Sequence, residues 1–367
     1  MADDGGVRVM PEPLKAFCVR VFVKLDVPTG DAQVVADNLV SADLRGISSH
    51  GVARLRRYVQ GIQNGVMLAR PEIKLVHETP ATALYDGGDG LGQPVSKRAM
   101  QLAIDKASQV GAGFVTVRNS NHYGIAGYYA MMALEHDMIG FSMTNSAVLV
   151  VPTFGRNAML GTNPISVAAP AGEECPFVLD MATSTVPRGK LEVYNRMEKP
   201  LPMGWATDET GEPTADTARV LDNFVKLAGG GLLPLGGAGE LFGGHKGYGL
   251  SLMVDILSGV LPGAGYTNNI YLKDEDGKAQ PANVGHFFGA LRVDGFRPVD
   301  EFKATMDDTI RRLKTTPKAL GQDRIYIHGE KEYQVTDDCL ENGVILHPKV
   351  EADLKAMAQE FSVEYGL

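Results

Sequence analysis

The sequence predicts an α/β protein: a central α/β region over 76–298, flanked by helical parts, 1–75 and 299–367, that pack together. Three observations carry this expectation. Apolar residues recur at helical spacing over 12–64, short β-type runs alternate with helical ones after Pro71, and helical patterns return at 299–314 and 350–361.

Leu14, Phe17, Val21 and Leu25 line one helix face, and Val34, Val35, Ala42 and Leu44 repeat the theme in a second helix. Thr29-Gly30-Asp31 separates the two, with Asp31 as the expected N-cap. A third helix is expected from near Ser49 to near Gly65, with Val52, Leu55, Val59 and Ile62 on its apolar face. Residues 73–76 and 82–85 read as strands, followed by the Gly-rich stretch GGDGLG at 87–92 and a helix over 95–109. Residues 113–118 and 138–144 read as buried strands around a helix through 128–134. Further helices are expected at 184–194, 217–227 and 246–261. Loops dominate 196–216 and 262–285, where Gly, Pro, Asp and Asn concentrate.

The 367 residues are 44% apolar and 22% charged, with a net charge of −9. Such a chain can bury a real core but presents no broad basic surface, so nucleic acid and anionic membranes are not expected partners. A small anionic substrate needs only a local group of Arg and Lys. Cys18, Cys175 and Cys339 are the only cysteines and stand far apart, which predicts reduced thiols in a cytoplasmic compartment. The opening MADDGGVRVMPEPL has neither the basic nor the apolar segment of a secretion signal. The apolar run at 249–261 contains Asp255 and is too short to cross a bilayer.

Four segments carry candidate chemistry. In SSHGVARLRRY (48–58), Ser49 is a natural N-cap, and His50, Arg54 and Tyr58 drift by only about 40° per step around a helix. One helix edge then presents an imidazole, a guanidinium and a phenol. Arg can grip a carboxylate with its fork and His can exchange a hydroxyl proton near neutral pH; the plain alternative is a solvated helix edge. In NSNHYGIAGYYA (119–130), His122 stands in a strand-to-helix turn with Gly124 and Gly127 behind it, the kind of turn that meets a ligand or merely satisfies its own backbone. DMATSTVPRGK (180–190) leads into a helix with Arg188 and Lys190 near its start, suited to a pyrophosphate or to simple capping. In GGHKGYGLSLMVDILSGVL (243–261), Gly247 and Gly249 weaken the first turns, so something must approach that backbone closely, either a neighbouring element or a cofactor.

A strand-turn-helix G-x-G-x-x-G fingerprint does not occur, nor do a Walker A loop, H-E-x-x-H, G-x-S-x-G or a Cys/His cluster at zinc spacing. No metal site is expected. Residue spacing by itself leaves open a hydrolase that binds a metal through His50, His122 and His245, and a dinucleotide-binding protein without catalysis.

DLRGISSHGVARL (43–55), SNHYGIAGYY (120–129), GTNPIS (161–166), DMATSTVPRGK (180–190), PMGWATDETGEPTAD (202–216), LLPLGG (232–237) and HKGYGLSLMVDILSGVL (245–261) occur together and in order. In these motifs the chain resembles the malate/L-lactate dehydrogenase family, which also contains ureidoglycolate, sulfolactate, diketogulonate and cyclic imino acid enzymes. The resemblance implies a non-Rossmann NAD(P)-binding fold like that of the L-sulfolactate dehydrogenases, a central domain that binds NAD or NADP, and a homodimer with its active site near the subunit interface. It implies hydride transfer between the nicotinamide and a small 2-hydroxy or 2-keto acid, malate/oxaloacetate first, with lactate/pyruvate and the other family substrates as alternatives.

By motif match, Ser49 and His50 are the pair assigned to proton donation in some members, and His122 matches the acid/base of others. His50 is the first expectation and His122 the second. Arg54 falls by the same match near substrate and cofactor, and Tyr58, from its spacing on the same helix edge, is grouped with it for the substrate. Tyr123, Gly124, Ile125, Ala126, Gly127, Thr162, Asp180, Met181, Ala182, Arg188, Gly189, Lys190, His245, Lys246 and Glu330 fall to the cofactor. Lys190 stands where some members place a charged relay group, at times a carboxylate, and Ser48 where an acidic residue often precedes the serine-histidine pair.

Overall fold

The computed structural model describes residues 6–367; the first five residues of the stretch read as lacking a leader lie outside the described residues. Strand β1 (Val7–Val9) and helices α1 (Pro11–Lys24) and α2 (Thr29–Leu44) open the chain. Two 3-10 turns, Ser48–His50 and Val52–Arg54, lead into α3 (Leu55–Gln63). The central region runs β2 (Lys74–Glu78), β3 (Thr82–Asp86), α4 (Gly92–Val110), β4 (Ala112–Ser120), α5 (Ala126–Met132), β5 (Met138–Thr144), β6 (Ile165–Ala169) and β7 (Phe177–Met181). It continues through α6 (Arg188–Arg196), β8 (Ala206–Thr207), α7 (Thr217–Lys226), β9 (Gly231–Leu232), α8 (Gly244–Asp255), a π turn at Ile256–Val260, and β10 (Val284–Arg292). Helices α9 (Val299–Thr315) and α10 (Glu330–Asn342), strand β11 (Val344–Leu346) and helix α11 (Pro348–Glu360) complete it.

Seven strands form the central sheet in the order β2-β3-β4-β10-β5-β6-β7. Only the β3–β4 pair is parallel; the other neighbours are antiparallel. A sheet that is mostly antiparallel and whose last-entering strand sits at its centre is unlike a doubly wound parallel sheet, and this accounts physically for the missing glycine fingerprint. One apolar core lies under α4 and α5, with Met100, Ile104, Val115, Tyr129 and Phe288 wholly buried. A second joins α1, α2 and α3 to β11 and α11 through Phe17, Val21, Leu39, Leu55, Leu346 and Met357. Antiparallel pairing of β1 with β11 closes that layer.

Several expectations are corrected. Asp31 does not cap α2: Pro28 stands at the N-cap, and Asp31 lies in the first turn, where it pairs with Arg98. The third helix starts at Leu55 rather than near Ser49, because Gly51 is extended (φ −81°, ψ −153°) and splits the preceding residues into short turns. Helix α6 starts at Arg188, after Pro187. The helix read over 246–261 starts at Gly244 and gives way to the π turn after Asp255.

The short strands β1, β8, β9 and β11 and two longer elements, β10 and α10, have no counterpart in the sequence reading. Strand β10 is buried on both faces, so VGHFFGALR lacks the alternation that marks a half-buried strand. Helix α10 buries only Glu330 and Cys339, too few positions to show a helical period.

The burial of Phe288 at the centre of the sheet, set against Phe296 at 76% exposure, gives a direct test. Phe288→Ala should destabilise the fold by roughly 3–5 kcal/mol in a denaturant melt, whereas Phe296→Ala should stay within about 0.5 kcal/mol of the parent.

Candidate functional site

The site forms where α3 meets the turn between β4 and α5. Asn121 ties that turn to the Gly-rich loop by donating its amide to the Asp89 and Gly90 carbonyls at 3.1 and 2.9 Å. His286 of β10 braces it from inside the sheet. Its ring nitrogens lie 2.8 Å from Thr144 Oγ1 and 2.9 Å from Ser120 Oγ, and its ring stacks on Tyr123 at 4.6 Å and 2°. Burial holds the pKa of His286 down to about 3, so it stands neutral in the sheet.

His122 emerges from this braced turn. Its Nδ1 lies 2.7 Å from the hydroxyl of Tyr58 and 3.4 Å from the Gly124 N–H, while its Nε2 makes no hydrogen bond among the described residues. Gly124 is required here: its φ is +84°, and a Cβ would fall 1.7 Å from Asn38 Oδ1. Tyr58 is wholly buried, which argues against the plain alternative of a solvated helix edge. With α3 beginning at Leu55, Tyr58 turns inward against the sheet layer, and burial pushes its hydroxyl pKa up to about 12.

His50 stacks on His122 with ring centroids 5.5 Å apart and 22° between planes. Ser49 does not cap a helix; its Oγ lies 3.0 Å from His50 Nδ1. The segment is pinned by Asp43 of α2, a residue outside the predicted set. Its carboxylate accepts the Val52 N–H at 2.8 Å, and a Cβ on Gly51 would lie 2.0 Å from Oδ1. Burial raises the Asp43 pKa to about 7.

Arg54, the N-cap residue of α3, donates Nε–H to the Ser49 carbonyl at 2.7 Å, and Arg57 reaches the Tyr271 hydroxyl at 3.4 Å. Neither guanidinium forms an ion pair among the described residues. Burial first, then Arg54 and Arg57, bring the His50 pKa down to about 4. His122 falls well below its ordinary value through burial, Arg57, His50, Arg54 and His286, in that order. The two imidazoles are neutral bases at physiological pH.

The remaining predicted residues fall around this centre in separate groups. Tyr123, Ile125 and Ala126 are buried, and the Gly127 N–H donates to Asp180 Oδ2 at 2.7 Å. The Thr162 carbonyl accepts from Thr183 just after Met181 and Ala182, and Ser146 Oγ lies 3.3 Å from Thr162 Oγ1. At the start of α6, Arg188 pairs with Glu192, Gly189 faces open space, and Lys190 lies 5.2 Å above Trp205. His245 and Lys246 are exposed at the start of α8. The close approach to Gly247 is a neighbouring backbone, since a Cβ there would lie 2.1 Å from the Leu235 carbonyl; Gly249 has open space around it. Glu330 is nearly buried and held by Lys314 and Arg324. No direct contact joins Arg188, Lys190, His245, Lys246 or Glu330 to the histidine pair.

Arg57 and Asp43 lie within the quoted motifs, and the side-chain environment that singles them out is visible only in three dimensions. His286 carries no signal in the sequence, because its strand is buried on both faces and shows no alternation.

A pair of neutral imidazoles beside unpaired guanidiniums is the equipment of an enzyme that moves protons on small anions. The family model described as malate/L-lactate dehydrogenase matches residues 9–355. The malate dehydrogenase of Pyrococcus abyssi is 51% identical over 362 residues, covering 99% of this chain and 97% of its own length. Among solved structures, malate dehydrogenase from Pyrococcus horikoshii OT3 superposes with a TM-score of 0.89 at 48% identity, covering 99% of this chain and 98% of that one. The sulfolactate dehydrogenase of Methanocaldococcus jannaschii superposes with a TM-score of 0.87 at 38% identity, covering 98% of each. The chain belongs to the malate/L-lactate dehydrogenase family: it is an oxidoreductase that acts on hydroxy acids with a nicotinamide cofactor.

The raised pKa of Asp43 makes its packing pH-dependent in a defined direction. A carboxyl group whose pKa is raised on folding contributes stability that is lost as pH climbs from its unfolded value toward about 7. The stability advantage of wild type over Asp43→Asn should therefore shrink between about pH 4.5 and 7.5 in parallel denaturant titrations. An advantage that grows over that interval contradicts the assignment.

Proposed function

We propose that this protein interconverts malate and oxaloacetate, with NAD or NADP as hydride carrier, as a cytoplasmic homodimer. The observation that carries the reading is the Arg54 guanidinium next to two stacked, neutral imidazoles, one of them fixed through Nδ1 by a buried tyrosine. The identity to relatives named malate dehydrogenase selects malate among the family's acids. Sulfolactate is the second reading, favoured by the 40% identity to a sulfolactate dehydrogenase.

The donor set fits a dinucleotide. The Ser146 and Thr162 hydroxyls lie together, and Lys190 and Lys246 are exposed cations without ion pairs among the described residues. Small hydroxyls, backbone N–H groups and free cations are what a pyrophosphate needs. When bound, the nicotinamide supplies the hydride acceptor or donor at its C4.

The chain's own groups do the rest. Arg54 keeps two nitrogens for the C1 carboxylate while its Nε stays tied to Ser49. Tyr58 fixes the His122 ring through Nδ1, so that Nε2 is left to exchange the proton of the C2 oxygen. We assign that exchange to His122. His50, oriented by Ser49, stacks against it, and at 5.5 Å the two rings hold a single proton between them because the first charge opposes the second.

Self-association through the loop before α8 and the π turn after it accounts for the exposed Leu241, Phe242, Ile256, Val260 and Leu261, a set of apolar side chains too large to leave in water.

Oxaloacetate, pyruvate and a cyclic imine, each offered with NADH and with NADPH, form the decisive panel. Oxaloacetate should be reduced fastest, and a cyclic imine turned over in its place contradicts the reading. His122→Ala should lower kcat by about 100- to 10,000-fold, with His50→Ala losing less. Wild-type turnover in His122→Ala overturns the proton assignment.

A further inference from the structure

Arg56 and Arg57 are neighbours on α3 with opposite fates. Arg56 points to α11, where Asp353 and Glu360 both pair with it. Arg57 is half-buried and, among the described residues, has no carboxylate partner; its one side-chain hydrogen bond there goes to the Tyr271 hydroxyl. Arg54, three residues earlier and so on the adjacent turn, is unpaired as well. Two half-buried guanidiniums without counter-ions among the described residues, in a chain with 44 acidic residues, form an arrangement that an anionic ligand completes. A single carboxylate compensates one of them.

Tyr58 lies next to Arg57 in sequence, and its hydroxyl holds His122. The two cations therefore flank the imidazole pair rather than a remote surface, and both depress the pKa values of that pair. A substrate whose C2 oxygen meets His122 and whose C1 carboxylate meets Arg54 would carry any second anionic group within the field of Arg57.

We propose that Arg57, positioned by Tyr271, receives the second anionic group of the substrate, so that Arg54 and Arg57 together select a dianionic 2-hydroxy acid over a monoanionic one. This rests on the hydroxy-acid reading above and adds the residue that sets the substrate's charge. The recognised class is a three- or four-carbon acid with a second carboxylate or a sulfonate at the far end. Arginine suits both groups, because its planar fork can donate two parallel hydrogen bonds to either.

The test compares wild type with Arg57→Gln on oxaloacetate and pyruvate at saturating cofactor. Loss of one charge-assisted contact should lower kcat/KM for oxaloacetate by about 10- to 100-fold and change that for pyruvate by less than about threefold. Tyr271→Phe should move the ratio in the same direction by a smaller factor. Hydroxymalonate, a dianion, and oxamate, a monoanion, provide a readout independent of turnover: the inhibition constant of the first should rise in Arg57→Gln and that of the second should hold. Equal losses for both acids and both inhibitors overturn the proposal, as does a rise in the KM of the nicotinamide cofactor in their place, which would assign Arg57 to a cofactor phosphate. If wild type fails to reduce oxaloacetate, the malate reading falls, and the inhibitor pair still decides whether Arg57 reads a second negative charge.

Discussion

The 2.7 Å contact between the Tyr58 hydroxyl and His122 Nδ1 joins two layers of the molecule that are otherwise built separately. Tyr58 belongs to a helix packed in the N-terminal core, and His122 to a turn at the end of a central strand. For the two to meet, α2 must press against the turn so closely that only glycine fits at 124. The chain before α3 must also break at Gly51 so that Tyr58 faces inward. Asp43 secures the break and His286 braces the turn from the sheet. The reactive imidazole is thereby oriented by elements far from it in sequence, each with its own packing reason to stay in place.

Electrostatics follows from that geometry. Burial and two uncompensated guanidiniums disfavour imidazolium, so His50 and His122 both stand neutral in the free protein. Burial is the larger cause and persists, but an anion bound between the arginines cancels their share of the depression, and the same event that brings the substrate raises the pair's readiness to take up a proton. In this account carboxylate recognition and acid/base chemistry are linked steps, coupled through the field of Arg54 and Arg57. The binding site is electrostatically strained when free, as preorganised sites commonly are.

Much of the architecture was legible in the sequence, and the misses have identifiable causes. Strand β5 matches its expected bounds because MIGFSMT is a short apolar run closed by turn residues. Strand β10 left no period-two trace because both its faces are buried, and with it went His286. The grouping of Ser49, His50, Arg54 and Tyr58 is visible from their spacing on one continuous helix, which the molecule does not form. The actual geometry arises from a helix that starts six residues later, and it makes Tyr58 a buried partner of His122 instead of an exposed neighbour of Arg54. Arg57 could not be told from Arg56 by type or by spacing, since ion pairing with α11 distinguishes them and that helix lies almost three hundred residues away.

The coupling between anion binding and imidazole protonation is most directly tested by NMR titration of histidine ring resonances, assigned through His50→Ala and His122→Ala. In the free protein neither ring should titrate between about pH 5 and 8, with His50 protonating only near pH 4. With cofactor and hydroxymalonate bound, the pair should take up one proton within that interval. A ring of either residue that titrates near its ordinary value in the free protein, or a pair whose titration the bound dianion leaves unmoved, would contradict the account.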